Sequence, residues 1–224
     1  MDGDGAPDRG FAEALDARAL ADLRAAGVRR TWPAGAVLFR EGDRADRVLV
    51  LESGTVKVVT TSSGGVEHIL ALRTAGAVLG ELAVADGGPR SATAVATTPV
   101  EALAVPAARF RTFLTDHPAA TLELLTIAIG RLRAADRQRA EFGSTDTITR
   151  LVRTLRDLAR SHGRTVDGGI RLDLLSQDDL AALCGSSREA VSRSLGTLRA
   201  AGLVATGRRS VTILDIDGID AWEV

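Results

Sequence analysis

Apolar residues follow three different patterns along the 224 residues of the chain. Between residues 16 and 27 they recur at helical spacing and stop at Gly27, which predicts a short helix with a glycine cap. From residue 28 to about 105, glycines separate short β-branched runs, such as Val48–Leu51, Val56–Val59 and His68–Leu72. Strands punctuated in this way predict an antiparallel β-sandwich or roll.

A long helix is predicted after the strands, because Pro118 stands where it can open a helix and only Gly130 interrupts the region 107–141. Its apolar positions have the 3-4-3 spacing of a coiled-coil seam, and they are Leu122, Leu125, Ile129 and Leu132. This stripe is longer than one small roll can cover, so we expect the helix to pair with its twin in a homodimer. The alternative is a helix that lies on the roll.

Residues 142–146 interrupt the helical pattern and predict a hinge at Phe142 and Gly143, with Gly143 as the pivot. A third unit follows the hinge. Its apolar pattern predicts one helix over about 148–158, then two short helices, and then a hairpin.

The two short helices carry recognisable end signals. Ser176 and the polar residues after it predict the N-terminal cap of the first helix. Gly185 predicts the tight turn between the helices, where a residue without Cβ is favoured. Ser186 and Glu189 predict a capping box that opens the second helix.

The second short helix has two chemically different faces. Its apolar stripe consists of Val191, Leu195 and Leu198, and its polar face consists of Arg188, Glu189, Ser192 and Arg193. Arginine can bond the guanine edge in the major groove, and glutamate can accept from the cytosine amino group. The pattern therefore predicts a recognition helix that reads double-stranded DNA, with a solvated polar face as the alternative.

The hairpin over residues 202–214 predicts a wing whose basic tip, Arg208 and Arg209, meets the phosphate backbone. The whole chain has a formal net charge of −1, but residues 145–214 hold eleven Arg against seven Asp and Glu, a balance of +4. A modest basic segment in a neutral protein is consistent with DNA binding by this unit.

A second candidate site lies at residues 79–92. Gly80 permits a tight turn, while Arg90 offers a fork for a phosphate, Ser91 a hydroxyl, and Glu81 an acceptor for a sugar hydroxyl. The alternative for this segment is a hairpin with a surface ion pair.

Both segments resemble known motifs, and together they identify the family. Residues 175–195, LSQDDLAALCGSSREAVSRSL, resemble the winged helix-turn-helix of the cyclic-AMP receptor protein (CRP/FNR) regulators. Residues 79–92, LGELAVADGGPRSA, resemble the phosphate-binding cassette of the cyclic-nucleotide-binding domain. The order of these parts is the roll, the cassette, the long helix and then the winged helix-turn-helix, which we call the reader. This order is similar to that of the family over nearly the whole chain.

The resemblance implies roles for individual residues. It implies that Arg188 and Arg193 contact guanine and that Glu189 contacts cytosine in a TGTGA half-site. The further DNA-contacting positions are Ser176, Gln177, Ser187, Ser192, Arg208 and Arg209, where Gln177 replaces a phosphate-contacting arginine that is frequent in the family. It also implies a cyclic-nucleotide site formed by Gly80, Glu81 on the ribose, Leu82, Arg90 and Ser91 on the cyclic phosphate, Arg131, Ala135 and Asp136.

One departure from the family concerns the base of the nucleotide. Ala135 and Asp136 stand where the family has an adenine-contacting Thr-Ser pair. Ionised Asp136 only accepts hydrogen bonds, which suits the two adjacent donors of guanine. We therefore expect a preference for cyclic GMP or a modified mode of cyclic AMP binding. The alternative is that Asp136 pairs with Arg133 or Arg139 across the dimer seam.

Other classes of protein are disfavoured by residues that are missing. The single cysteine, Cys184, allows neither an internal disulfide nor an iron–sulfur cluster. A jelly-roll metalloenzyme needs several converging histidines and carboxylates, and the strand region 28–105 contains His68 as its one histidine. No apolar run reaches the ~20 residues of a membrane span. We expect no enzymatic activity, no metal, no haem, no membrane association and a cytoplasmic location.

The chain is thus expected to have an α+β fold with three parts: a cyclic-nucleotide-binding β-roll (jelly roll) over 1–117, a dimerisation helix and hinge over 118–144, and a winged helix-turn-helix over 145–224. We expect a DNA-binding homodimer whose effector is cyclic AMP or cyclic GMP, with RNA polymerase as a further partner through residues 161–165. The alternative is a ligand-independent regulator with a structural roll.

Overall fold

The computed structural model describes residues 10–62, 65, 67–142, 145–173 and 176–222, and for residues 137–142 it describes the backbone alone. Within these residues, the helices are α1 (Ala17–Ala26), α2 (Glu81–Asp86), α3 (Ala107–Asp116), α4 (Pro118–Phe142), α5 (Thr147–His162), α6 (Gln177–Cys184), α7 (Arg188–Ala200) and α8 (Ile216–Asp220). The chain divides into two compact units, 1–134 and 135–224.

The strands of the first unit are β1 (Val28–Trp32), β2 (Val37–Phe39), β3 (Arg47–Ser53), β4 (Val56–Thr61), β5 (Glu67–Arg73), β6 (Val78–Leu79), β7 (Thr93–Ala96) and β8 (Val100–Pro106). They form two antiparallel sheets with the orders β1-β8-β3-β6 and β2-β7-β4-β5. The predicted β-roll is therefore confirmed.

Strand β3 shows why this part of the chain reads as an almost continuous apolar run. Successive side chains of a strand point to opposite faces. Leu49 and Leu51 belong to the core between the sheets, and Val48 and Val50 belong to a second core against the helices. Both faces of β3 are therefore buried, as four consecutive apolar residues require.

The long helix α4 has two apolar faces. Ala120 and Leu124 are buried in the core that the helices share with the roll, and Ile127 packs against it. The predicted seam lies about half a turn away around the helix. Its exposed fractions are 65% for Leu122, 54% for Leu125, 41% for Ile129 and 59% for Leu132. One chain therefore covers one face of α4 and leaves the seam in contact with solvent.

The second unit adds four strands, β9 (Arg164–Val166), β10 (Gly169–Asp173), β11 (Val204–Gly207) and β12 (Ser210–Ile213), in the order β11-β12-β10-β9. The β11–β12 hairpin agrees with the hairpin expected from the sequence, whereas the β9–β10 hairpin was not expected. Strand β9 is short and largely polar, so it has no apolar run to mark it. It becomes a strand because it pairs with β10, which in turn pairs with β12.

Candidate ligand-binding and DNA-reading sites

Two features of the structure favour a glycine at position 80, near the start of the cassette. Gly80 lies between β6 and α2 with φ 76° and ψ 13°, in the left-handed region that favours glycine. A Cβ added to Gly80 would also lie 2.0 Å from Nη1 of Arg90. The glycine therefore permits the turn and leaves room for the guanidinium.

Arg90 is buried, with an exposed fraction of 3%, and the backbone holds its guanidinium. Nη1 donates to the carbonyl oxygen of Gly80 (2.8 Å) and Nη2 to that of Arg47 (2.6 Å). Asp46, a largely exposed carboxylate, lies 3.8 Å from Nη2. Burial lowers the pKa of Arg90, and Asp46 opposes that effect. Within the described part of the chain, the buried Nε has no hydrogen-bond partner.

Glu81, the first residue of α2, is buried with an exposed fraction of 4% and is paired with Arg131 of α4. Nη1 of Arg131 donates to Oε1 of Glu81 at 2.6 Å, and Nη2 donates to the carbonyl oxygen of Val78 at 3.1 Å. A buried carboxylate needs such a partner. This ion pair links the cassette to the long helix within the first unit.

The remaining residues of the expected nucleotide site lie in different environments. Leu82 and Ser91 are exposed. Ala135 is half-buried and Asp136 is exposed, and both fall in the second compact unit. The structure therefore brings together Gly80, Glu81, Arg90 and Arg131. The hinge residue Phe142 ends α4, while Gly143 and the side chains of Phe142 and Arg139 lie outside the described residues.

The first helix of the DNA reader, α6, is capped by Ser176, whose hydroxyl accepts from the backbone N–H of Asp179 (3.0 Å). The Asp179 carboxylate accepts from the backbone N–H of Ser176 (2.9 Å) in return, so this helix has a capping box. Gly185 ends α6 in the left-handed conformation, φ 56° and ψ 44°. A tight turn between α6 and α7 therefore follows from local chemistry.

The capping box predicted at Ser186 and Glu189 is wrong. The cap of α7 is Ser187, whose hydroxyl accepts from the backbone N–H of Ala190 at 3.2 Å. The hydroxyl of Ser186 is instead engaged by Arg150, whose Nη2 donates to it at 2.7 Å. The hydroxyl of Ser186 therefore takes part in a contact with α5 and not in the helix cap, and the sequence spacing does not reveal that arginine.

Helix α7 separates its faces as the sequence pattern suggests. Its buried residues include Val191, Leu195 and Leu198, whereas Arg188, Glu189, Ser192 and Arg193 are exposed. In the described residues, Arg188 forms a long ion pair with Asp178 of α6, with 3.6 Å between Nη1 and Oδ2. Exposed ion pairs of this kind contribute little, so the guanidinium is available to a polyanion.

The tip of the wing carries the two expected arginines. Arg208 and Arg209 are exposed in the turn between β11 and β12. Arg209 has φ 53°, an unusual conformation for a residue with a Cβ. Gln177 opens α6 and is half-buried.

Arg150, which no sequence motif indicated, joins three segments of the reader. Its Nε donates to the carbonyl oxygen of Cys184 (2.8 Å), its Nη2 to Ser186, and its Nη1 to the carbonyl oxygen of Thr145. Two of these acceptors belong to the backbone, so no residue pattern could have indicated them. Burial raises the pKa of the Cys184 thiol, which stays protonated at neutral pH.

Two other kinds of site are absent from the part of the chain that the structure describes. There, no group of three or more His, Cys, Asp or Glu residues could hold a metal ion. None of the helices in the same residues is long and apolar enough to cross a bilayer.

Comparison with known proteins bears on both sites. The family model of the cyclic nucleotide-binding domain matches residues 29–117, and that of the Crp-like helix-turn-helix domain matches residues 149–222. The chain is 31% identical over 185 residues to the CRP-like cAMP-activated global transcriptional regulator of Mycobacterium tuberculosis, covering 82% of this chain and 83% of that protein. It is 33% identical to the cyclic AMP receptor protein of Thermus thermophilus, covering 83% of each.

Among solved structures, the chain is similar to the c-di-GMP responsive global regulator CLP of Xanthomonas campestris. The TM-score is 0.79 at 26% identity, covering 89% of this chain and 100% of that one. A cyclic-nucleotide-binding roll and a helix-turn-helix on one chain define a DNA-binding transcription regulator. The chain belongs to the CRP/FNR family of these regulators, as the motifs at 79–92 and 175–195 indicated.

Proposed function

We propose that the chain is a homodimeric regulator that binds a TGTGA-like palindrome and is switched by a cyclic nucleotide in the roll. The observation that best supports a cyclic-nucleotide effector is the buried guanidinium of Arg90 beside Gly80. A guanidinium has five N–H donors, and two of those of Arg90 meet carbonyl oxygens. The orphaned Nε therefore has donor capacity for a phosphate, and an anion would offset the burial of the charge.

Glu81 supports the sugar side of the same ligand. A carboxylate has two oxygens and about four acceptor positions. Arg131 occupies one of them, which leaves capacity for a ribose hydroxyl. The fit of a cyclic nucleotide is thus supported by a buried cation and a buried acceptor that both lie near the N-terminal end of α2.

Ala135 and Asp136 bear on which cyclic nucleotide binds. The relatives from M. tuberculosis and T. thermophilus are named for cyclic AMP, and the regulator from X. campestris responds to c-di-GMP. Ala135 cannot bond a base, and ionised Asp136 can accept from guanine but cannot donate to adenine. We therefore expect this chain to distinguish cyclic GMP from cyclic AMP through Asp136. A seam pair of Asp136 with Arg133 or Arg139 would give equal binding of both nucleotides.

The exposed seam of α4 supports the homodimer. The opposite face of the same helix already packs on the roll, so the seam is not needed within one chain. Four large apolar side chains in a row favour a partner surface. A twin helix presents the same stripe and places two reader helices about one turn of DNA apart, ~34 Å.

A second candidate is a regulator whose roll is purely structural. It is favoured by the closed pair of Glu81 and Arg131 and by the two carbonyl oxygens that Arg90 already meets. In that case the winged helix-turn-helix would bind its palindrome with the same affinity in the absence of any nucleotide.

The test is a fluorescence-anisotropy titration of the full-length protein against a duplex with an inverted TGTGA repeat, at one fixed salt concentration. The effector arms are no ligand, cyclic AMP, cyclic GMP and c-di-GMP. We expect one cyclic mononucleotide to tighten specific binding by about 5- to 150-fold, the usual range of allosteric coupling. Equal affinity in all arms would favour the structural roll, and an effect of c-di-GMP alone would overturn the mononucleotide assignment.

A matched pair of variants tests the reader in the same assay. Arg193→Gln should lower the affinity for TGTGA by about 5- to 150-fold, because one bidentate base contact is worth ~1–3 kcal/mol. Arg199→Gln is the control, since Arg199 lies on the same helix and bonds Thr206 (3.2 Å) near its other end. Equal losses in the two variants would mean that Arg193 contributes charge alone.

A further inference from the structure

The guanidinium of Arg90 lies over the ring of Phe39. The Cζ atom of Arg90 is 4.4 Å from the centroid of the Phe39 ring. A cation over an aromatic face within about 6 Å is attracted by the ring, and more strongly where water is excluded. Arg90 is buried and Phe39 is half-buried, so this contact lies in a largely dry environment.

Phe39 provides a constraint that the hydrogen bonds of Arg90 do not. The donors of a guanidinium lie in its plane, so the carbonyl oxygens of Gly80 and Arg47 fix its position within that plane. Two in-plane bonds do not prevent the group from tilting about the line that joins them. The Phe39 ring, which Cζ of Arg90 overlies, is a third contact outside these two hydrogen bonds and restrains the group further.

The backbone places Phe39 for this contact. Phe39 ends β2, and the register of β2 against β7 shifts between Val37 and Phe39. An irregularity of this kind redirects the side chain that follows it. Fifty-one residues separate Phe39 from Arg90 in the chain, and no motif of the cassette includes it.

We propose that Phe39 is a positioning residue for the phosphate subsite: its ring holds Arg90 so that the remaining N–H donors are presented to the anion without a change of rotamer. The proposal rests on the proposed cyclic-nucleotide function. A guanidinium fixed in advance loses less conformational freedom when the ligand binds, which raises affinity.

The test replaces Phe39 site-specifically with phenylalanines that carry one, two, three and five fluorine atoms. These rings keep the shape of phenylalanine, while their faces lose the negative charge that attracts a cation. We expect the Kd of full-length protein for cyclic AMP or cyclic GMP, whichever binds, to rise at each step. Phe39→Leu, which removes the aromatic ring altogether, should raise it by about 3- to 30-fold.

Phe11 provides the matched control. It is fully buried in the core against the helices and contacts Phe110 and Phe113 edge-on. The same fluorinated residues at Phe11 should leave the Kd unchanged. A flat series at Phe39, or equal slopes at Phe39 and Phe11, would overturn the positioning role and leave Phe39 as ordinary packing.

A second measurement on the free protein separates this proposal from the proposed function. The Nε–Hε signal of Arg90 in nitrogen–proton NMR, assigned by its loss in Arg90→Lys, should shift in Phe39→Leu because the ring current disappears. An unchanged signal would overturn the stacking itself. Failure of the wild type to bind cyclic AMP, cyclic GMP and c-di-GMP, with the signal shifted as expected, would overturn the ligand instead.

Discussion

Replacing Arg150 with methionine should loosen the turn that joins the two reader helices. The change removes the donors to the carbonyl oxygens of Cys184 and Thr145 and to the hydroxyl of Ser186. Methionine keeps much of the apolar stem of the side chain, so the loss of packing is small. The perturbation is therefore chiefly the loss of three hydrogen bonds from one charged group.

The magnitude follows from the character of those bonds. A hydrogen bond to a charged group contributes about 1.5–3 kcal/mol. Three bonds from one side chain do not add fully, because the acceptors share one donor group and Arg150 is only half-buried, so water replaces part of the loss. We expect Arg150→Met to destabilise the α6–turn–α7 segment by about 2–3 kcal/mol.

Hydrogen exchange of the full-length protein, followed by mass spectrometry, measures this effect locally. Amides of 177–200 should exchange about 30- to 150-fold faster in Arg150→Met. Arg150→Lys should be intermediate, because one ammonium cannot reproduce the planar fork. Arg188→Met is the control, since Arg188 is exposed and loses only its 3.6 Å contact with Asp178. Unchanged protection of α6 and α7 in Arg150→Met would refute the reasoning.

Three further outcomes are expected. Gly80→Ala should abolish nucleotide binding in calorimetry, whereas Gly87→Ala should not. Both glycines have φ 76°, but among the described atoms only a Cβ at Gly80 would meet Arg90. Similar losses of nucleotide affinity in the two variants would contradict this reasoning. Leu125→Asn, in the seam, should give a monomer in light scattering, whereas Leu70→Asn, which also replaces an exposed leucine, should leave the protein dimeric. If both variants were dimeric, the seam would be excluded as the dimer interface. The hydrogen bond with Thr149 lowers the pKa of Asp146 in the folded state. The Asp146 carboxylate therefore stabilises the folded state fully above pH ~3.9, and this stabilisation is lost as the pH falls through the folded-state pKa. The gap in unfolding free energy between wild type and Asp146→Asn should therefore shrink on acidification in urea titrations, and a constant gap would be contrary.

The parts of the fold that could be predicted are those with local signals. Val48–Leu51 marked β3 because four apolar residues in a row need two buried faces, and Pro118 marked the start of α4. The hairpin of β9 and β10 was not predicted, although Asp167 and Gly168 form a dipeptide typical of a two-residue hairpin turn. Strand β9 has three residues and pairs with β10 across that turn, so no apolar run marked it.

The residues of the candidate ligand site also differ in how far the sequence could reveal them. Glu81 and Arg90 could be named from their cassette, since their chemistry is carried by side-chain type and spacing. The groups that hold Arg90 could not, because the carbonyl oxygens of Arg47 and Gly80 belong to the backbone and leave no mark in residue identity. Ser187 caps α7, while the Ser186 hydroxyl accepts from Arg150 of α5, a contact that the spacing of residues in this segment does not reveal.

Strand β12 is paired along both edges, with β11 on one side and β10 on the other. A slip of one residue would turn Val211 and Ile213 out of the core, so the base of the wing has a single register. The turn at Arg208 and Arg209 lies outside that constraint. In the proposed binding mode, a longer or differently charged turn would change the contact with the sugar–phosphate backbone and would leave the residues of α7 that face the bases unchanged. Overall affinity and target choice could then evolve separately.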